Sequence, residues 1–189
     1  MTARLILICH ASTEATRAAT FPADEPLEDN GRTDAAALTG RLPKADGHWS
    51  SPELRTLQTA EACGFNPTVL PMLRECDYGR WTGCSFDEVQ AREPQAVSAW
   101  LNDLSAAPHG GESFLGLMQR VAAWLAGERD NHSRSIVVTH STVIRAAIVH
   151  AIAAPPQSFW RIDIAPLSVT RLSGMRGRWN LSAAGCRAA

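Results

Sequence analysis

The chain has 189 residues, 45% of them apolar and 20% charged, with a formal net charge of -1. That length suits a single domain able to bury its own core, and the composition is that of a globular protein. The near-neutral balance excludes a basic footprint for nucleic acid or an anionic membrane, so any anion site has to be local, made of a few arginines and backbone amides.

Taken in chain order, "MTARLILICH" has an apolar stretch too short for a signal peptide and lacks a small-residue cleavage site. Residues 4–9, "RLILIC", form a short, continuous apolar run bounded by polar residues, which predicts a buried strand. "GRTDAAALTGRL" predicts an Ala-rich helix ending at Pro43, and "GHWSSP" a short strand and turn. "ELRTLQTAEACG" predicts a helix with Gly64 at its C-cap, and "TVLPML" another short strand. Arg74 to about Gly111 is the least regular stretch, with two short helical pieces and the aromatic residues Tyr78, Trp81, Phe86 and Trp100. Those aromatics suit either an apolar pocket or simple packing.

From Glu112 onward Phe114, Leu117, Met118, Val121, Trp124 and Leu125 fall on one helical face. "SIVVT" predicts a second buried strand, running at His140 into a helix striped with Val143, Ile144, Ala147, Ile148 and Ala151. The whole apolar run here is broken by His140, Arg145 and His150, which rules out a membrane span. "SVTRLSG" and "GRWNLSA" predict a closing pair of strands. The five cysteines (9, 63, 76, 84 and 186) show no C-x-x-C spacing, against a disulfide framework or a zinc site and consistent with reduced thiols in the cytoplasm.

Alternating strands and helices imply an α/β sandwich around a mostly parallel sheet, in which ligands sit beyond the carboxyl ends of the strands. "RLILIC" and "SIVVT" each deliver a histidine, His10 and His140, to such an end. Arg55 starts a helix just after a strand and turn, and Glu75 and Asp77 lie in the irregular segment. Two histidines, an arginine and a carboxylate at one sheet edge suit phosphoryl transfer: one imidazole attacks phosphorus, the cations hold the oxygens, and the carboxylate protonates the leaving group. Helix N-termini after His10 and His140 would add backbone amides toward an anion. Each residue alone also fits an ordinary structural role.

Four stretches, in order, resemble the histidine phosphatase superfamily, the phosphoglycerate mutase-like group, over essentially the whole chain. "LILICHASTEA" takes the place of Leu-Val-Arg-His-Gly-Glu-Thr, and "PLEDNGRTDAAAL" that of Pro-Leu-Thr-x-x-Gly-x-x-Gln-Ala. "SSPELRTLQTAEA" is close to Ser-Ser-Pro-x-x-Arg-x-x-Gln-Thr-Ala, and "IVVTHSTVIRAAI" matches Val-x-His-Gly-x-x-Ile-Arg. The resemblance implies a three-layer α/β/α sandwich with a small irregular cap at about 76–111. It implies His10 as the phosphorylated nucleophile, Arg55 and His140 as ligands of the transferring group, and Glu75 as general acid with Asp77 a competitor. Glu112 and Ser113 of "GGES" would line or brace the pocket, and Ser141 belongs with the phosphate-binding candidates. No metal or organic cofactor is implied, the partner being a small phosphorylated substrate or inorganic phosphate, and a homodimer is an option the family uses.

The departure lies at the nucleophile. The family's arginine before it is Cys9 here, and the glycine after it is Ala11. A cysteine phosphatase would need an arginine six residues later, but Ala15, Val69, Thr82 and Gln90 follow Cys9, Cys63, Cys76 and Cys84 at that distance. The substitution is therefore a loss, and removing one preorganised donor costs about 10²–10³ in rate. The methyl of Ala11 is a further handicap wherever backbone approaches phosphate. Arg17 is the candidate to refill the space, since the family already uses an arginine at the position of Arg145. Without the guanidinium, His10 is expected to protonate more readily than in arginine-bearing relatives. The expected activity is a weakened phosphomonoesterase, with a silent phosphate-binding pseudophosphatase as the alternative and a mutase disfavoured because the mutases' insertions are lacking.

Overall fold

The structure is a computed structural model that describes residues 2–127, 134–175 and 178–187. Its six-stranded sheet contains β1 (Ala3–Cys9), β2 (Gly47–Ser50), β3 (Thr68–Val69), β4 (Arg134–Thr139), β5 (Ser168–Met175) and β6 (Arg178–Arg187). The strand order is β3-β2-β4-β1-β5-β6. The first four are mutually parallel, and β5 and β6 run antiparallel at the edge, so the predicted mostly parallel sheet carries an antiparallel hairpin.

Central β1 explains its own sequence. Leu5, Leu7 and Cys9 enter the larger core, while Ile6 and Ile8 enter a smaller one on the other face. A strand covered on both faces has no polar side to show, hence the unbroken apolar run. On the larger-core side lie α6 (Phe114–Ala126) and α7 (Ser141–Ala151); on the other lie α2 (Asp29–Ala36) and α3 (Leu54–Ala62). The result is the three-layer α/β/α sandwich. A four-residue helix, α1 (Glu14–Arg17), follows the first strand.

Two boundaries differ from the sequence expectation. α2 starts at Asp29 and stops at Ala36, because the amides of Leu38, Thr39 and Arg41 turn to carbonyls three residues back and Gly40 adopts φ +77°. "TVLPML" divides into the two-residue β3 and a 3₁₀ turn at Pro71–Leu73, where the Pro71 ring is seated at the first helical position. Gly64 takes φ +83° just past α3, as its place suggested.

The irregular segment folds into a 3₁₀ turn at Gly79–Trp81, α4 (Phe86–Arg92) behind a Ser85–Glu88 capping box, and α5 (Pro94–Asn102). Its aromatic residues pack rather than line an open pocket: Trp81 is fully buried, and its ring meets Phe21, Trp100 and His109. Two glycines permit the loops on either side to touch. A Cβ on Gly111 would lie 2.1 Å from the Asp77 carbonyl oxygen, and one on Gly79 2.3 Å from that of His109. Trp81→Ala is expected to cost about 3–5 kcal/mol of stability, read as a lower midpoint in urea unfolding, because nothing else fills that volume.

Candidate active site

β1 and β4 are neighbours in register, Cys9 opposite Thr139, so the residues that follow them, His10 and His140, leave the sheet side by side. Their rings stand 5.3 Å apart between centroids, tilted by 63°. His10 Nδ1 donates to the Ala11 carbonyl at 2.8 Å, which fixes the proton there and leaves Nε2 with its lone pair. Burial is the largest reason that its pKa is lowered from 6.5 to about 3, followed by the charges of His140 and Arg55. Enclosure of the ring therefore does most to keep His10 neutral.

Arg55 is 1% exposed at the start of α3. Its Nη1 donates to the Ala23 carbonyl at 2.6 Å and lies 3.8 Å from Glu25, while Nη2 is 3.6 Å from Glu75. Nε and Nη2 are buried without a hydrogen-bond partner, as is His140 Nδ1. Buried polar atoms are rarely left so, and two of these lie around one carboxylate oxygen: Glu75 Oε2 is 3.4 Å from His140 Nδ1 as well as 3.6 Å from Arg55 Nη2. Glu75 Oε1 accepts from Thr142 Oγ1 and from the Cys76 amide.

The other sequence candidates are distributed as follows. Asp77 is exposed and accepts from the Gly79 amide, so Glu75, not Asp77, stands beside the histidines. Glu112 is held by Arg120 and Arg74, and Ser113 caps α6 by accepting from the Gly116 amide, so both brace rather than line the site. Ser141 opens α7 immediately after His140. Ala11 is fully buried with its amide given to Thr59 Oγ1 at 3.0 Å; that N–H is used inside the protein. Arg17 does not refill the site: its side chain is 67% exposed and bonded to Glu28 at 2.9 Å. The charges of Arg145 and Arg55 both reach Cys9, and Arg145 Nε is buried without a partner. The Cys9 thiol itself faces the larger core, and burial, then Glu75, raise its pKa from 9.0 to about 12, which leaves it protonated and unreactive.

Glu53 and Glu25 are additions that the sequence reading passed over. Glu53 Oε2 accepts from His140 Nε2 at 2.7 Å, and its Oε1 accepts from the Glu75 amide at 2.9 Å. Glu25 takes the Thr13 hydroxyl at 3.0 Å. Glu53 falls on an unspecified position of the Ser-Ser-Pro-x-x-Arg pattern, so only its proximity to Arg55 hinted at it. Among the described residues no group of three or more His, Cys, Asp or Glu side chains is placed to hold a metal ion, and no helix is long and apolar enough to cross a membrane.

The sequence model of the histidine phosphatase superfamily (branch 1) matches residues 5–187. The chain belongs to that superfamily. It is similar to phosphoserine phosphatase 1 of Hydrogenobacter thermophilus, 28% identical over 190 residues covering 92% of this chain and 88% of that one. It is also similar to glucosyl-3-phosphoglycerate phosphatase of Mycobacterium tuberculosis, 30% identical over 190 residues covering 90% and 85%. The solved structure of a mycobacterial glucosyl-3-phosphoglycerate phosphatase superposes with a TM-score of 0.83 at 26% identity, covering 98% of this chain and all of that one. Against a bifunctional protein of M. tuberculosis, 30% identical over 181 residues, the chain spans about half of the relative's length, 49%.

The depressed pKa of His10 has a consequence for stability. Folding favours the neutral ring, so the stability it contributes is full above the unfolded pKa of 6.5 and is lost as pH falls toward about 3. His10→Gln is expected to flatten the fall of urea midpoints between pH 6.5 and 4, measured against the parent chain.

Proposed function

We propose that the chain is a phosphomonoesterase working through a phosphohistidine on His10. The observation that carries this reading is the set of partnerless buried nitrogens, Arg55 Nε and Nη2 and His140 Nδ1, beside a neutral His10 whose Nε2 is free to attack. In the first step Nε2 forms a bond to phosphorus as the ester oxygen leaves, and Glu75 hands that oxygen a proton. In the second, water attacks the phosphohistidine, Glu75 takes its proton, and inorganic phosphate departs. Arg55 and His140 stabilise the equatorial oxygens in both steps. The cycle uses no metal or organic cofactor, and its partner is a small phosphorylated molecule. The phosphoserine and glucosyl-3-phosphoglycerate phosphatases among its relatives set the kind of substrate to try first.

A second reading, a protein that binds phosphorylated ligands without turnover, draws on the neutral Cys9 and on the carboxylates of Glu25 and Glu75, which lie 3.8 Å and 3.6 Å from Arg55. One experiment separates the two: hydrolysis of p-nitrophenyl phosphate by the parent chain, His10→Ala and Cys9→Arg. Turnover in the parent that disappears in His10→Ala supports the enzyme, and Cys9→Arg is then expected to raise kcat/KM by about 10²-fold, the worth of one preorganised donor. An inert parent beside an active Cys9→Arg would instead favour the binding role.

A further inference from the structure

Glu53 stands where a helix cap should be. It is the N-cap residue of α3, a place that favours Ser, Thr, Asp or Asn, yet its side chain makes no capping bond. The cap is supplied from elsewhere: Asp24 Oδ1 accepts the Leu54 amide at 2.6 Å. The Glu53 carboxylate is thereby free for two other tasks, and both lead into the site. It accepts the Nε2 proton of His140, and it accepts the Glu75 amide, so a single carboxylate joins His140 to Glu75.

The direction of the proton is set by Glu53. Burial alone would raise its pKa, but the hydrogen bond and charge of His140, with the Glu75 amide, bring it down to about 2. Glu53 is thus an acceptor throughout the neutral range, and the hydrogen between the two belongs to His140. The edge bearing Nδ1 is then the one presented to Glu75 Oε2, which itself lies 3.6 Å from Arg55 Nη2. With Cys9 contributing no charge at the nucleophile, a hydrogen-bond donor on the Nδ1 edge of His140 would stand in its place beside Arg55.

We propose that Glu53 is a positioning residue that pins the Nε2 proton of His140 and, by balancing the ring's charge, lets Nδ1 serve as a hydrogen-bond donor to the phosphoryl group in place of the missing arginine. This rests on the phosphatase reading above. The charged and titratable groups around the ring are Glu53 and Arg55 from the start of α3, Glu75 from the segment after Leu73, and His10 from the end of β1, with Arg145 one turn along its own helix. Of these, Glu53 is the one hydrogen-bonded to the ring, so its removal tests the proposal most directly.

Two measurements test it. The first is the pH dependence of p-nitrophenyl phosphate hydrolysis by the parent chain, Glu53→Gln and Glu53→Asp. Loss of the carboxylate partner of a metal-bound histidine costs about tenfold to a hundredfold, and by analogy a fall of that size in kcat/KM is expected for Glu53→Gln. The alkaline limb should also move to lower pH, since the ring has lost the charge that favoured its protonation, and Glu53→Asp should recover part of both effects. A fall that is uniform across pH, with the limb unmoved, would mark Glu53 as a structural brace only and overturn the proposal. The second is long-range proton–nitrogen NMR of the His140 ring in the parent chain, assigned with His140→Asn, with and without vanadate. A proton on Nε2 in both states and a second on Nδ1 with vanadate supports the proposal; a bare Nε2 overturns it even if Glu53→Gln fails to fold. Should the parent chain show no turnover, the phosphatase reading fails by itself, while the NMR result still decides the state of His140.

Discussion

The site depends on one register. β1 and β4 lie side by side and parallel, and Cys9 faces Thr139 at their carboxyl ends. The His10 amide donates to the Thr139 carbonyl at 2.9 Å, so the ladder extends one residue past the strand before the chain turns away. A shift of one residue would send either histidine to the opposite face and its apolar neighbours out of their cores. Below this edge the Ser51 hydroxyl bonds to the Thr139 hydroxyl at 2.8 Å and to the Leu73 carbonyl at 2.5 Å, tying β2, β4 and the segment that leads to Glu75 to the same level. The catalytic candidates thus share one rigid platform although they lie far apart in the chain.

The electrostatics of that platform follow from enclosure. His10 is kept neutral chiefly by burial, and a neutral imidazole is what a nucleophile requires. Arg55 is wholly buried with three carboxylates near it or its partners, Glu25, Glu53 and Glu75, so its charge is balanced before any ligand arrives. In superfamily members with an arginine before the nucleophile the balance would be more positive. Here the thiol of Cys9 is absorbed by the apolar core and its pKa is raised to about 12, which removes it from the chemistry altogether. In the proposed cycle the site therefore leans on His140 and its carboxylate neighbours more heavily than the motif alone suggests.

Several features were legible in the chain because they are local. The strand of "RLILIC" follows from an unbroken apolar run, the stripe of α7 from helical spacing, and the Gly64 cap from a glycine past the last apolar residue. The order of the family-like stretches gave His10, Arg55, Glu75 and His140 as a group, and the structure places these four together. Less local expectations fared differently. Arg17 looked well placed in sequence because it lies seven residues after His10, but α1 ends in solvent and Glu28 takes the guanidinium. Arg145, set aside in the sequence because the family already employs it, is one of two arginines, with Arg55, whose charge reaches Cys9.

What the sequence by itself determined is the set of elements and the identity of the chemically capable residues, since helical and strand periodicity and the types of side chain are written along the chain. What only the tertiary structure decided is which partner each of those residues meets. Glu53 and His140 are separated by 87 positions and meet through a 2.7 Å hydrogen bond. Glu75 is chosen over Asp77 because the former points to Arg55 and His140 while the latter closes a turn onto Gly79. Burial, hydrogen-bond pairing and the resulting protonation states belong to contacts between distant segments, and no local pattern encodes them.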